Sequence, residues 1–364
     1  MKYLLSFFPA GRDFASLNLL LTTCCLILFF CTEPTKPPVD NGPDTTSHNF
    51  SWTIDTIGTR NSYLKDVAII NENDIWAVGE IHTDETDRWN EDSTEWIPPF
   101  NAAHWQGTEW ELLRIPAVTS MGTMSRGPML AVYAFTSDDV WIFSQAGSYA
   151  YWNGSKWESK IVWEAVGSIT KMWGTSSQDM YFAGTNGNIT HYDGQSWQRL
   201  ESGTTTDIND IWGAVNSETG GKTILCPVSS RSHVGEYRLL SISQNGVNDT
   251  LNWNLERRIL SVWFEHNSPV YECGSGLRMY KDNSWKDIDS PSYVTLRVRG
   301  SSWNNVFVTG VFGLLLHYNG STWQEYPELA FENGELNGLA VTDNLIVAAG
   351  QIGSRGIIIT GKRK

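Results

Sequence analysis

The sequence has 364 residues, with 26 Lys and Arg against 40 Asp and Glu, so its formal net charge is −14. An acidic chain without a basic stripe repels phosphate backbones, which argues against a nucleic-acid partner. The 18 Trp, 13 Tyr, 14 Phe and 32 Gly exclude a disordered chain and suit many short strands joined by tight turns.

Residues 1–30 have the pattern of an export signal. Lys2 and Arg12 precede an apolar run, residues 17–30. Its length suits a secretory signal and is short for a membrane span, which needs about 20 residues. We therefore predict a signal peptide over residues 1–30, with an uncleaved anchor as the alternative.

A cysteine and a Pro-rich polar stretch, residues 31–48, follow the apolar run directly. This pattern resembles a bacterial lipoprotein signal, in which the cysteine at the cleavage site carries lipid. The resemblance implies that Cys31 is lipidated, and Cys24 is the competing position because Phe29 and Phe30 are large for the residues before a lipidated cysteine. Proline fixes φ, so residues 31–48 are expected to form a disordered but semi-rigid tether.

One octapeptide recurs through the rest of the chain. It reads "THYDGQSW" at residues 190–197, and close copies end at Trp110, Trp157 and Trp323. Asp-Gly or Asn-Gly between two runs of alternating apolar residues is typical of a tight β-hairpin. The copies at Trp157 and Trp197 are 197 − 157 = 40 residues apart, which suits a propeller repeat of about 40–45 residues.

Each repeat contains four predicted strands, A to D, and the octapeptide joins C to D. Six such units follow one another, and the fourth is degenerate, with its strand D expected at 250–256. The units span residues 64–115, 129–162, 168–200, 208–256, 259–289 and 295–327.

A seventh unit contains only three strands after residue 335. Residues 50–57 precede unit one and have strand-D character, with Trp52 in the expected place. A ring closes if this strand completes the last sheet by pairing antiparallel with the segment around Ile358. We therefore predict an all-β domain over residues 49–364, a seven-bladed β-propeller of four-stranded blades whose N-terminal strand completes the last blade.

The repeated tryptophans and the two remaining cysteines are predicted to be structural. One four-stranded blade cannot bury both of its faces, so blades pack face to face around an axis. The strand-D tryptophans are expected to wedge between blades: Trp110, Trp157, Trp197, Trp285 and Trp323. Cys226 and Cys273 fall on interior strands of neighbouring units and are expected to be two buried thiols.

The repeat "MWGTSSQDMYFAG…HYDGQSW" resembles that of exported bacterial propeller lipoproteins, and it is similar to Asp-box and two-component-regulator propellers. The resemblance covers nearly the whole chain after Ser51. It implies the propeller fold and an envelope location, and relatives with this repeat are often labelled glucosyltransferase-like. The Asp-box pattern is half met, since most copies have Asn or Gln at the acidic position.

The sequence contains no recognisable catalytic, cofactor or metal motif. "LRIP" at 113–116 and "DID" at 287–289 match fragments of sialidase and glycosyltransferase motifs, but both fall on predicted outer strands. His104, His191 and His317 share one repeat position before the hairpin turn and are expected to be packing residues. We expect no cofactor and no metal, and Asn153 and Asn319 are expected to be turn residues.

The irregular loops lie on one predicted face. In a propeller the A–B and C–D connections share one face and the B–C and D–A connections the other, and the C–D turns here are short. The B–C loop of unit one, residues 81–100, mixes aromatic and acidic residues, which suits a sugar or a protein epitope; the alternative is a lid on its own blade. The candidate binding residues are Trp89, Trp96, Phe100, Arg126, Arg231, His233 and Arg355.

These features predict a non-catalytic binding or scaffolding propeller that is lipid-anchored at the outer membrane or cell surface and recognises a glycan or an envelope protein. The alternatives are a carbohydrate-active enzyme, glycosidase- or glucosyltransferase-like, and an assembly or sensor module. Two carboxylates or three arginines converging at the mouth of the loop-rich face would favour the enzyme. A monomer is expected.

Overall fold

The computed structural model describes residues 45–230, 236–243, 246–249, 257–289 and 293–364. Its strands are, in chain order, β1 (Phe50–Ile57), β2 (Tyr63–Asn71), β3 (Asp74–Ile81), β4 (Arg88–Trp89), β5 (Trp96–Ile97), β6 (Phe100–Trp105), β7 (Trp110–Leu113), β8 (Ala117–Val118), β9 (Met124–Ser125), β10 (Met129–Thr136), β11 (Asp139–Ser144), β12 (Ser148–Trp152), β13 (Trp157–Ile161), β14 (Ile169–Ser176), β15 (Asp179–Gly184), β16 (Ile189–Tyr192), β17 (Trp197–Arg199), β18 (Trp212–Val215), β19 (Lys222–Ser229), β20 (Tyr237–Ser243), β21 (Gly246–Asp249), β22 (Ile259–Trp263), β23 (Val270–Gly274), β24 (Gly276–Lys281), β25 (Ser284–Ile288), β26 (Thr295–Ser302), β27 (Asn305–Gly310), β28 (Leu315–Tyr318), β29 (Trp323–Glu325), β30 (Gly334–Val341), β31 (Leu345–Ile352) and β32 (Arg355–Arg363).

Seven four-stranded antiparallel sheets form the blades of a β-propeller, as the repeat predicts. Blades 1 to 6 are β2-β3-β6-β7, β10 to β13, β14 to β17, β18 to β21, β22 to β25 and β26 to β29, and blade 7 is β30-β31-β32-β1. The helices within the described ranges are two single 3₁₀ turns, Thr185–Gly187 and Pro327–Leu329. Among these residues no helix has the length and apolar character to span a membrane.

The ring closes where the sequence predicts. Strand β1 pairs antiparallel with β32, with Trp52 opposite Gly361 and Asp55 opposite Ile358. The N-terminal strand thus becomes the outer strand of the last four-stranded sheet and links the two ends of the chain within one blade. The strand order therefore places the B–C and D–A connections on one face, the loop-rich face, and the A–B and C–D turns on the other, the short-turn face.

The outer strand of blade 4 lies elsewhere than predicted. It is β21 (Gly246–Asp249), which pairs with β20, whereas the sequence pattern indicated 250–256. The prediction was wrong because 250–256 has the better alternation of apolar residues, while Gly, Asn and Asp in β21 are poor strand formers. Residues 250–256 are not among the described residues.

Four of the five strand-D tryptophans, Trp110, Trp157, Trp197 and Trp323, contact the preceding blade, which confirms these four as wedges between sheets. The Trp157 ring lies 5.7 Å from Trp76 of blade 1, and Trp197 stacks on Tyr149 of blade 2 at 5.5 Å. Between blade 1 and blade 7, where the ring closes, Trp110 Nε1 donates a hydrogen bond to Asp55 Oδ2 at 3.2 Å. Similar contacts are made by Trp323, whose ring lies 6.2 Å from Tyr271, while Trp285 packs on Tyr280 and Arg278 of its own blade.

The three histidines of the repeat are packing residues, as predicted. His104 stacks on Trp76 at 3.9 Å, and its Nε2 lies 2.8 Å from Asp74 Oδ1. His191 stacks on Tyr181 and contacts Asp179; His317 stacks on Phe307 and contacts Asn305. In these three blades the histidine thus ties strand C to strand B through one ring stack and one polar contact, which explains why it recurs.

The hairpin turns and the cysteines also have the predicted structural roles. Asp193 Oδ1 accepts hydrogen bonds from the backbone N–H groups of Gln195 and Ser196 at 2.9 and 2.7 Å, and Gly194 has a φ of 89°. Asn153 and Asn319 make the same turn. Cys226 and Cys273 are free and buried, and burial raises the pKa of both thiols, to about 12 for Cys273.

Candidate functional site

A repeated β-bulge shapes the central channel. The register shifts at the same place in six innermost strands, β2, β10, β14, β22, β26 and β30. A bulge bends a strand and re-aims the next side chain. The residues that follow it form one layer around the channel, completed by Asp210 just before β18: Asp66, Ala131, Lys171, Asp210, Ser261, Arg297 and Gly338.

Two ion pairs cross this channel. Lys171 Nζ lies 2.5 Å from Asp66 Oδ1, joining blades 3 and 1. Arg299 follows Arg297 of the layer by two residues on the same strand. Its guanidinium binds both carboxylate oxygens of Asp210, at 2.7 and 2.8 Å, and so joins blades 6 and 4. Because these blades are not neighbours in the ring, each pair bridges the channel rather than the gap between adjacent blades.

Burial and pairing together set the protonation of these groups. Burial lowers the pKa of Lys171 to about 8, against the attraction of Asp66, so the amine stays protonated at neutral pH. Burial disfavours ionised Asp210, but Arg299, Arg297 and Ser261 together outweigh it and lower its pKa to about 2. Lys171 and Asp210 are therefore both charged at neutral pH.

On the loop-rich side the channel opens into a cavity of about 430 Å³. The lining comes from the first residues of several innermost strands and from neighbouring B–C loops: Tyr63, Lys65, Leu130, Gln145, Ser168, Thr170, Gly184, Thr185, Asp207, Ile208, Asn209, Arg297 and Asn337. Most of the side chains are neutral and polar, so the cavity suits a polar group held by hydrogen bonds.

The long B–C loop of blade 1 folds into a two-stranded ribbon, β4 and β5. Trp89 and Trp96 face each other across it, with ring centroids 6.0 Å apart, and both are about half exposed. Asn90 Oδ1 accepts hydrogen bonds from the N–H groups of Thr94 and Glu95, which fixes the tip of the ribbon. The two tryptophans thus form a preformed apolar surface that faces solvent.

The remaining predicted residues do not join this pair. The guanidinium of Arg114 lies over the ring of Phe100, 3.8 Å from the ring centroid. Arg126 is exposed after β9, and Arg355 is exposed at the β31–β32 turn. In the described ranges no ring contact or hydrogen bond connects Arg355 with Trp89 or Trp96. Arg231 and His233 lie outside these ranges, as does Cys31.

Exposed apolar side chains concentrate on the loop-rich face. Among the described residues, three large exposed ones lie elsewhere: Ile54, Val215 and Trp303. Those on B–C and D–A connections are Trp89, Trp96, Met121, Met124, Trp163, Val166, Tyr293 and Phe312. Met121 and Met124 belong to the β8–β9 hairpin, which lies on the connection from blade 1 to blade 2. The hairpin is held against blade 2, because the N–H of Val118 donates to Ser159 Oγ at 2.9 Å.

Among the described residues, the cavity lining does not bring together two carboxylates or three arginines. Its described lining contains one carboxylate, Asp207, and one guanidinium, Arg297. Arg114 of "LRIP" donates to the carbonyl of Pro98 at 2.9 Å, and Asp287 of "DID" lies on the outer strand β25. In the described part of the chain no cluster of three His, Cys, Asp or Glu residues is arranged for a metal ion.

Solved structures share this fold. The structure of YCF48 bound to a D1 peptide matches with a TM-score of 0.63 at 15% identity, covering 89% of this chain and 100% of that one. YCF48 from Cyanidioschyzon merolae has a TM-score of 0.59 at 15% identity, covering 85% and 98%. The WD40 propeller domain of Doa1 has 0.61 at 9%, covering 87% and 98%.

At these identities the similarity establishes the fold. No family model matches the sequence, and no curated protein matches it. The architecture is a propeller of the kind found in YCF48 and WD40 proteins. The resemblance to Asp-box propellers and to lipoproteins stays a prediction.

Proposed function

We propose that this protein is a non-catalytic binding propeller that holds a protein partner on its loop-rich face. The observation that carries the proposal is the concentration of exposed Trp, Met, Tyr and Phe side chains on that face, around a cavity at the channel mouth. Exposed apolar patches of this kind mark interaction sites, and a rigid scaffold holds them in place before binding.

A protein segment is favoured over a glycan. Trp89 and Trp96 meet edge to face at 6.0 Å rather than offering two parallel ring faces to a sugar. The exposed methionines of the β8–β9 hairpin add flexible apolar contacts that suit a peptide surface. One propeller of the same fold, YCF48, holds a peptide.

We extend the proposal to export and anchoring through Cys31 at the cell envelope, on the strength of the sequence pattern alone. The first described residues lie against the short-turn face: Thr46 N donates to the carbonyl of Asn319 in a C–D turn at 3.0 Å. Thr46 Oγ1 bonds the carbonyl of Asn304 in an A–B turn at 2.5 Å. An anchor at the end of the tether would therefore leave the loop-rich face free for a partner.

The test is capture of partners from an envelope extract by the purified protein. The Trp89→Ala/Trp96→Ala variant should lose capture while its unfolding midpoint barely moves, because both side chains are about half exposed. Trp303→Ala, an exposed tryptophan on the opposite face, is the matched control and should capture normally.

Two outcomes would contradict the proposal. Equal capture by the double variant and the wild type would exclude the ribbon as a binding surface. Capture that survives protease treatment of the extract but is lost after deglycosylation would replace the protein partner by a glycan.

A further inference from the structure

The cavity at the channel mouth contains a buried positive charge without an ionic partner among the described residues. Arg297 is only 8% exposed, and it lines the cavity. The other buried cations of the channel are each paired, Lys171 with Asp66 and Arg299 with Asp210. Among the described residues Arg297 therefore makes no direct ion pair, and it is attracted only at longer range by Asp210 and Asp66, each of which is already paired with another cation.

The hydrogen bonds of Arg297 are also incomplete. Its Nη1 donates to the carbonyl oxygens of Leu260 and Leu296, both at 3.0 Å, which holds the side chain in place. Its Nε is buried and finds no acceptor among the described residues. A buried charge with unused donors is costly to fold, and a bound anion would offset that cost.

We propose that this cavity binds a carboxylate of the partner, either the C-terminal carboxylate or an acidic side chain of an extended peptide, with Arg297 as its main donor. The inference rests on the proposed function and names the chemical group that the partner presents. Polar side chains of the rim, such as Asn209, Asn337 and Thr170, surround the entry to the guanidinium.

A singly charged carboxylate fits this cavity better than a phosphate does. Asp207 lines the same rim, and its Oδ1 accepts a hydrogen bond from the N–H of Asn186 at 3.1 Å. Lys65 and Arg297 are the cations of the lining and Asp207 is its carboxylate, so the formal charge of the lining balances a single negative charge rather than two. A volume of about 430 Å³ admits a side chain or a chain end rather than a folded domain. The exposed Trp and Met side chains on the same face would hold the rest of an extended segment.

The experiment uses peptide arrays with matched members. Each peptide is printed with a free C-terminal carboxylate and as the C-terminal amide, and each acidic peptide has a partner in which Asp and Glu are replaced by Asn and Gln. The purified protein is compared with Arg297→Met, with Arg297→Lys, which keeps the charge, and with Asp207→Asn, which removes the rim carboxylate. Circular dichroism and the unfolding midpoint of each variant show that it is folded.

We expect carboxylate-bearing peptides to bind about ten- to a hundredfold more tightly than their neutral partners, as for a hydrogen bond to a charged group. Arg297→Met should remove this difference, Arg297→Lys should retain part of it, and Asp207→Asn should bind at least as tightly as the wild type. Loss on amidation identifies a C-terminal carboxylate, and loss on Asp or Glu replacement identifies a side chain.

The proposal is wrong if folded Arg297→Met keeps the same preference as the wild type, or if neutral peptides bind as tightly as acidic ones. Capture from extract that needs Trp89 and Trp96 but not Arg297 would leave the binding face intact and remove the carboxylate site. Capture that needs neither the two tryptophans nor Arg297 would overturn both the proposed binding face and the carboxylate site.

Discussion

The ion pair between Lys171 and Asp66 provides the sharpest test of the channel structure. Replacing Lys171 by Met keeps most of the side-chain volume but removes the charge. Asp66 would then remain buried, with its side chain 11% exposed, and with the N–H of Val132 as a weak partner at 3.3 Å. Removing one partner of a buried ion pair leaves an uncompensated charge, so we expect a loss of about 3–5 kcal/mol in the free energy of unfolding.

The double variant Asp66→Leu/Lys171→Met separates the cost of the unpaired charge from the value of the pair. Burying a pair costs desolvation that its Coulombic attraction only partly repays. We therefore expect the double variant to lie within about 2 kcal/mol of the wild type, and to be more stable than either single variant.

The assay is urea unfolding at pH 7, followed by the fluorescence of the 18 tryptophans. Lys156→Met is the control. The Lys156–Glu158 ion pair, at 3.1 Å, is largely exposed, with side chains 69% and 42% accessible. Exposed ion pairs of this kind contribute about 0–1 kcal/mol to the free energy of unfolding. A loss below about 1 kcal/mol for Lys171→Met, or a double variant no better than the singles, would refute a channel closed by buried ion pairs.

Two further predictions concern packing and pH. The Trp197 ring contacts Phe182 and Tyr192 of its own blade at 4.8 and 4.9 Å and Tyr149 of blade 2 at 5.5 Å. Trp197→Ala should therefore lower the free energy of unfolding by about 3–5 kcal/mol. A loss under about 1 kcal/mol, measured by urea unfolding, would count against its role as a wedge between blades. Burial, together with His48 and Arg363, lowers the pKa of His317 to about 3 in the folded state, below its value of about 6.5 in the unfolded chain. The unfolded chain therefore takes up the proton first, and stability should fall as pH drops from about 6.5 toward 3, by about 2 kcal/mol at pH 5. His317→Gln should flatten this decline between pH 7 and 5, and an unchanged slope would exclude His317 as its source.

The local pattern of the sequence was sufficient for the architecture. Alternating apolar runs and Asp-Gly or Asn-Gly turns depend on neighbouring residues, so the blades, the hairpin tips and the completion of blade 7 by residues 50–57 were predictable. The same logic misplaced the outer strand of blade 4, because in β21 pairing with β20 overrides weak local propensity. The Trp89–Trp96 loop was found from its length and composition, but its folding into a ribbon was not.

The channel and its mouth were decided by the tertiary structure. Asp66, Lys171 and Arg297 are more than a hundred residues apart in sequence, and only ring closure and a bulge repeated in the innermost strands bring them into one layer. The available sequence signal was a charge at the same position of an otherwise apolar strand, in "LKDVAII", "ITKMWG" and "LRVRG". The pairing of charges across the channel depends on distances between blades that are not neighbours. The same distances leave Arg297 without a direct ionic partner among the described residues. No local sequence pattern specifies those distances.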